Sequence, residues 1–115
     1  MSDLDRLTRD MRAFSEERDW LQFHDPKSLV LALVGEVGEL AELLQWVPGE
    51  EVVRRARTEP LASRLAEEAA DVLLYLVRLA DELGVDLAAA ARDKLDAAAR
   101  RYPVEHVKGV APPKS

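Results

Sequence analysis

Residues 27–46 read KSLVLALVGEVGELAELLQW, and the spacing of their leucines decides the fold. At about 100° per residue, with Leu29 as zero, Leu33, Leu40, Leu43 and Val47 all fall within about 40° of one direction. That is the buried stripe of an amphipathic helix running from about Lys27 to Trp46, where Val47-Pro48-Gly49 stops it. Glu36 falls at about −20°, inside the stripe. Glu39 lies at about −80°, at its edge, and Glu42 at about −140°, on the outer face. An ionised carboxylate among leucines costs several kcal/mol unless something pairs with it. Glu42 needs no explanation; Glu36 does.

Working outward, the same periodicity recurs. A first helix is expected from about Ser2 to Asp19, capped by Ser2 or Asp3, with Leu4, Leu7, Met11 and Phe14 at helical spacing. The segment DWLQFHDP (19–26) reads as a loop leading into a helix with Pro26 in its first turn. Residues 48–60 form a polar connection with one helical turn of its own. A third helix runs from about Leu61 to Leu83, with Gly84 as its stop. Asp86 caps a fourth that reaches about Arg101, and Pro103 ends it. No stretch alternates at period two, so strands are not expected. The expected fold class is all-α: a four-helix bundle-type protomer, one domain over 1–103, with 104–115 as a flexible tail.

On the third helix, with Leu65 as zero, Val72, Leu76, Leu79 and Leu83 line the core within about 40°. Glu68 falls at about −60°, Tyr75 at about −80° and Asp71 at about −120°, all on one flank. Two helices thus each carry an acid pair at i, i+3, Glu36/Glu39 and Glu68/Asp71. If they pack side by side, four carboxylates converge and repel unless a cation sits between them. Hard divalent ions such as Mg²⁺ take oxygen ligands and share themselves with phosphates. The chain has no Cys and two His, which disfavours zinc.

Composition narrows the classes further. The net charge is −6 and no Lys/Arg-rich run is present, which argues against binding a nucleic acid polymer. The N-terminus is charged from its third residue and no apolar run approaches membrane-spanning length, so no signal peptide or membrane partner is expected. A chain without cysteines suits the cytoplasm. With 115 residues, long thin helices would leave apolar surface uncovered in one copy, so a homo-oligomer is expected. On the residues alone, a non-catalytic helical oligomerisation module competes with an enzyme; such a module would not need Glu36 in its apolar stripe.

DWLQFHDPKSLVLALVGEVGELAELLQW (19–46), EEAADVLLYLVRLADELGVDL (67–87) and DKLDAAARRYP (93–103) together resemble the MazG-like, all-α nucleoside triphosphate pyrophosphohydrolases, in particular their dCTP pyrophosphatase branch. The resemblance covers about residues 12–103. It implies Mg²⁺-dependent hydrolysis of a (deoxy)nucleoside triphosphate, dCTP or a modified dCTP, to the monophosphate and pyrophosphate. Glu36, Glu39, Glu68 and Asp71 would be the Mg²⁺ ligands, with Glu36 or Glu39 accepting the proton of the attacking water. Trp20, Leu21, Gln22, Phe23, His24, Trp46 and Tyr75 would form the nucleoside pocket. Lys94, Arg101 and Tyr102 would meet the phosphates, from another subunit of a dimer or tetramer. Ala98 stands where relatives often carry Asn, and Met11 where dCTP-directed relatives carry His. The same superfamily also offers hydrolases directed at dUTP or damaged nucleotides.

Overall fold

The computed structural model describes residues 1–112 and contains helices only among them. Helix α1 spans Asp3–Glu17 and opens with a capping box, Ser2 Oγ accepting from the Asp5 amide and Asp5 accepting from the Ser2 amide. Asp19 follows in the left-handed region (φ 55°), a conformation Asp tolerates better than bulkier residues. It turns the chain into a 3₁₀ turn, Leu21–Phe23. Asp25 caps helix α2, Pro26–Leu44, by accepting from the Ser28 amide, and Pro26 occupies the first turn as expected. α2 ends two residues before Trp46.

The connection contains a 3₁₀ turn, Gly49–Glu51, and the short helix α3, Val52–Ala56. Helix α4 covers Leu61–Glu82 and is closed by Gly84 at φ 70°. Asp86 caps helix α5, Leu87–Arg101, through the Ala89 amide. Pro103 starts a single-turn helix α6, Val104–Val107, where the composition suggested a flexible tail. Residues 113–115 of that tail lie outside the described residues.

The most extensive packing is α2 along α4; α1 crosses the other side of α4, and α5 touches α1 only slightly. The fourth long helix therefore stands apart from the other three instead of closing a bundle within one chain. The radius of gyration is 17.4 Å, against about 13 Å for a compact chain of this length. Only Leu29, Val77 and Ala80 are fully buried apolar residues among those described. Leu33, Leu40, Leu43 and Val47 are half-buried beside Leu29, in agreement with the α2 stripe. On α4 the picture is broader. Val77, Arg78 and Ala80 are buried because α1 covers a second face, while Leu83, expected in the core, is 56% exposed at the end of the helix.

Leu29 is 2% exposed at the centre of this thin core. Leu29→Ala should destabilise the fold by about 3 kcal/mol, read from the midpoint of urea denaturation. A change below half of that would mean that α2 is not anchored at this point.

Candidate metal centre

The two acid-bearing helices are the two that pack most closely, so their acids meet at the seam. One carboxylate oxygen from each of Glu36, Glu39 and Glu68 lies within 4.8 Å of the others. Glu36 and Glu68 are half-buried, and Glu39 is exposed. Glu36 is therefore not the single inner acid that its wheel position suggested; Glu68 shares that role from the opposite helix. Asp71, also exposed, falls outside the tight group, yet its charge raises the proton affinity of both Glu36 and Glu68.

Two carboxylate oxygens, Glu36 Oε2 and Glu68 Oε2, are shielded from solvent with no hydrogen-bond partner among the described residues. Buried polar atoms are nearly always satisfied. Loss of hydration, followed by the facing Glu68 and Glu39 carboxylates, pushes Glu36 up to about 7. Glu68 is raised first by loss of hydration and then by Glu39, with the Glu36 contact opposing. Three converging carboxylates with two orphaned oxygens and no sulfur or imidazole form a donor set that fits a hard divalent cation.

A cavity of about 480 Å³ opens on this group, lined by Glu39, Glu42, Leu43, Gln45, Leu61, Arg64 and Glu68. Arg64, one turn before Glu68 on α4, brings a cation to the acids. The sequence reading passed over it, although its i−4 spacing from Glu68 was visible. Glu42 also reaches this rim.

The other expected site residues are dispersed within one chain. Trp20 packs edge-on against Phe14 with ring centroids 5.7 Å apart, and Phe23 and Trp46 are 64% and 86% exposed. Leu21, His24 and Tyr75 are half-buried and Gln22 is exposed. Tyr75 sits on α4 one turn beyond Asp71. Lys94, Arg101 and Tyr102 do converge, with Ala97 and Ala98, around a pocket of about 290 Å³ on α5. The Arg101 guanidinium lies 5.3 Å from the Tyr102 ring centre. This pocket shares no lining residue with the acidic cavity.

The sequence matches the MazG-like family over residues 32–112. It is 50% identical over 108 residues to dCTP pyrophosphatase 1 of Bos taurus, covering 94% of this chain and 64% of that protein. To dCTP pyrophosphatase 1 of Homo sapiens it is 49% identical over 100 residues, 87% of this chain and 59% of that one. The chain thus spans less than two thirds of the length of these relatives. The crystal structure of a pyrophosphatase from Archaeoglobus fulgidus superposes with a TM-score of 0.80 at 32% identity, covering 90% of this chain and 94% of that one.

The acid cluster makes a linkage prediction. A carboxyl raised above its unfolded value of 4.5 to about 7 holds its proton in the fold, so stability falls as pH rises from 4.5 through 7. After treatment with EDTA, the melting temperature should be lower at pH 8 than at pH 5.5. Millimolar divalent cation should restore more of it at pH 8, where protons no longer compete for the oxygens. An equal effect of the cation at both pH values would separate it from these carboxylates.

Proposed function

The chain belongs to the MazG-like family, and on that footing we propose that it is a Mg²⁺-dependent nucleoside triphosphate pyrophosphohydrolase that converts dCTP or a modified dCTP to the monophosphate and pyrophosphate. The observation that carries this reading is the pair of unpartnered oxygens of Glu36 and Glu68 at the α2–α4 seam. A solvated acidic surface would not bury them. A helical scaffold without a ligand would gain stability by replacing Glu36 with leucine. The names of the bovine and human relatives support the choice of dCTP.

When bound, the divalent cation supplies charge neutralisation for the triphosphate and lowers the pKa of a water. Glu36 and Glu68, the inner carboxylates, would hold it, with Glu39 and Asp71 completing the acid set. Of Glu36 and Glu39, only Glu39 lines the open cavity, so Glu39 is the carboxylate placed to accept a proton from the attacking water. The water oxygen bonds to the α-phosphorus as the bond to the α,β-bridging oxygen breaks. That oxygen departs with the pyrophosphate, whose charge Arg64 meets from the cavity wall. Positioning and charge neutralisation account for most of the catalysis in such transfers.

The Lys94–Arg101–Tyr102 pocket would belong to the phosphate end of a site only when a second copy brings it to the acids. Assembly is also what the outer face of α2 favours. Val30, Leu31, Val34 and Val37 are 42%, 63%, 61% and 47% exposed. Gly38, on the same face, has no neighbour within 4 Å of where a Cβ would stand. Mid-helix glycines lower helix stability by about 1 kcal/mol each, a cost that close approach of another helix would offset. We therefore read the working form as a homo-oligomer.

Three measurements test this. Glu36→Gln should retain a folded protein and lower pyrophosphate release from dCTP by about a thousandfold, the equivalent of several kcal/mol of transition-state stabilisation. Undiminished release would sink the assignment. A panel of dCTP, dUTP and oxidised or methylated nucleotides, with monophosphate and pyrophosphate both quantified, fixes the base preference. For assembly, light scattering at micromolar concentration should give at least a dimer, and Val34→Arg should yield monomers with less than about a tenth of the activity. A monomeric, active wild type would contradict the oligomeric reading.

A further inference from the structure

Arg78 is 2% exposed and has no part in the chemistry above. All of its guanidinium nitrogens are engaged. Nε donates to Nδ1 of His24 at 3.1 Å, Nη1 donates to Asp81 at 2.6 Å, and Nη2 donates to Glu82. Asp81 also accepts from Arg12 Nε of α1 at 2.7 Å. Asp81 and Glu82 lie one turn along α4 from Arg78 and fix its planar fork. The direction in which Nε points is therefore set by the helix itself.

An arginine side chain has donors and no acceptor. The His24 nitrogen facing it must accept, so Nδ1 carries no hydrogen and the single proton of the neutral ring sits on Nε2. A protonated ring would turn an N–H toward a cation. Burial, then the Arg78 charge, lower the proton affinity of His24, with Glu82 opposing. The outcome is a neutral imidazole with one donor in a fixed orientation.

The placement gives this device a use. Asp71, Tyr75, Arg78 and Glu82 follow one another at i, i+4, i+7 and i+11, so they lie within about 60° on one stripe of α4. Arg78 is about 10 Å along the helix from Asp71, a distance comparable to that from an α-phosphate to the far edge of its base. His24 ends the aromatic segment Trp20–His24, which otherwise rests on α1 through Trp20 and Phe14.

We propose that Arg78 is a positioning residue that holds His24 as the neutral Nε2–H tautomer and pins the 20–24 segment to α4, so that His24 offers its N–H to an acceptor on the nucleobase. This rests on the reading of residues 20–24 as part of the nucleoside pocket. A clamp that served stability alone would need no fixed tautomer and no response to the base.

The test uses the full chain and the imidazole nitrogens of His24, assigned by long-range ¹H–¹⁵N NMR at pH 7. The wild type should show an unprotonated Nδ1 and a protonated Nε2; a rapidly exchanging tautomer mixture, or a proton on Nδ1, overturns the proposal. Saturating dCMP should move the Nε2 resonance and inorganic pyrophosphate should not; no response to dCMP overturns it as well. In steady-state assays with dCTP and Mg²⁺, His24→Phe leaves Arg78 paired with Asp81 and Glu82. It should raise KM about tenfold with kcat within about threefold. Arg78→Met should do the same where it folds, and an unchanged KM in His24→Phe overturns the contact. A wild type that hydrolyses no nucleotide refutes the proposed activity, whereas the ring spectra and the dCMP response still decide the role of Arg78.

Discussion

Glu36 and Glu68 face one another across the seam where α2 packs on α4, and the loss of hydration imposed on these two carboxylates is the constraint around which the molecule is arranged. Loss of hydration in the seam, and then the facing Glu68 and Glu39 carboxylates, lift Glu36 to about 7, while Glu68 is raised by loss of hydration and by Glu39 with the Glu36 contact opposing. The same seam is the most extensive helix contact of the chain, so the strain falls on the packing that holds the fold together. The leucine stripe of α2 and the Val72/Leu76/Leu79 stripe of α4 keep the helices in contact against the cost of desolvating these carboxylates. A proton at low pH, or a divalent cation if the proposed site binds one, would relieve that cost. In the proposed function, affinity for a cation and the energetic penalty on the fold would be two aspects of one arrangement.

The rest of the fold adds little hydrophobic reserve. Three apolar side chains are fully buried among the described residues, and α5 projects from the other helices. Polar clamps carry part of the positioning instead. Arg12, Asp81, Arg78 and His24 link α1, α4 and the aromatic segment in one hydrogen-bonded chain. A buried ion pair contributes modest net stability because its desolvation offsets the attraction, but its directionality can specify a geometry. It adds a side-chain tie to α4 for a segment that the Trp20–Phe14 ring contact and the Trp20 amide to Ser15 carbonyl hydrogen bond hold to α1. The exposed Val/Leu face of α2 and the separate basic pocket on α5 are two further surfaces, and both would be used if copies assemble.

Much of this was legible in the sequence because its signals are local. Leucine spacing placed α2 and α4, and Ser2, Pro26, Gly84 and Asp86 marked their own helix ends, because such signals depend on residues within one turn, while the Asp25 cap of α2 emerged only in the structure. The anomaly of Glu36 could be read as well, since a helical wheel needs nothing beyond the helix itself. The relation among the acids was read less fully. Glu68 appeared on a flank, yet the crossing of α2 over α4 turns that flank into the seam and makes Glu68 as enclosed as Glu36.

What the sequence alone determined is the set of helices, their apolar stripes and the presence of two acid pairs, because each follows from periodicity and composition along one segment. What only the tertiary structure decided is which faces are covered. Arg78 lies at about −140° on the α4 wheel, far from the leucine stripe. It is buried all the same, because α4 is flanked by α2 on one side and by α1 with the aromatic segment on the other. Leu83, in line with the core, is exposed because α4 outruns its neighbours. Lys94, Arg101 and Tyr102 gather in a pocket away from the acids because α5 leaves the other helices. Burial of a second helix face and the path of a projecting helix depend on contacts between residues far apart in the chain, and no periodicity within one helix encodes them.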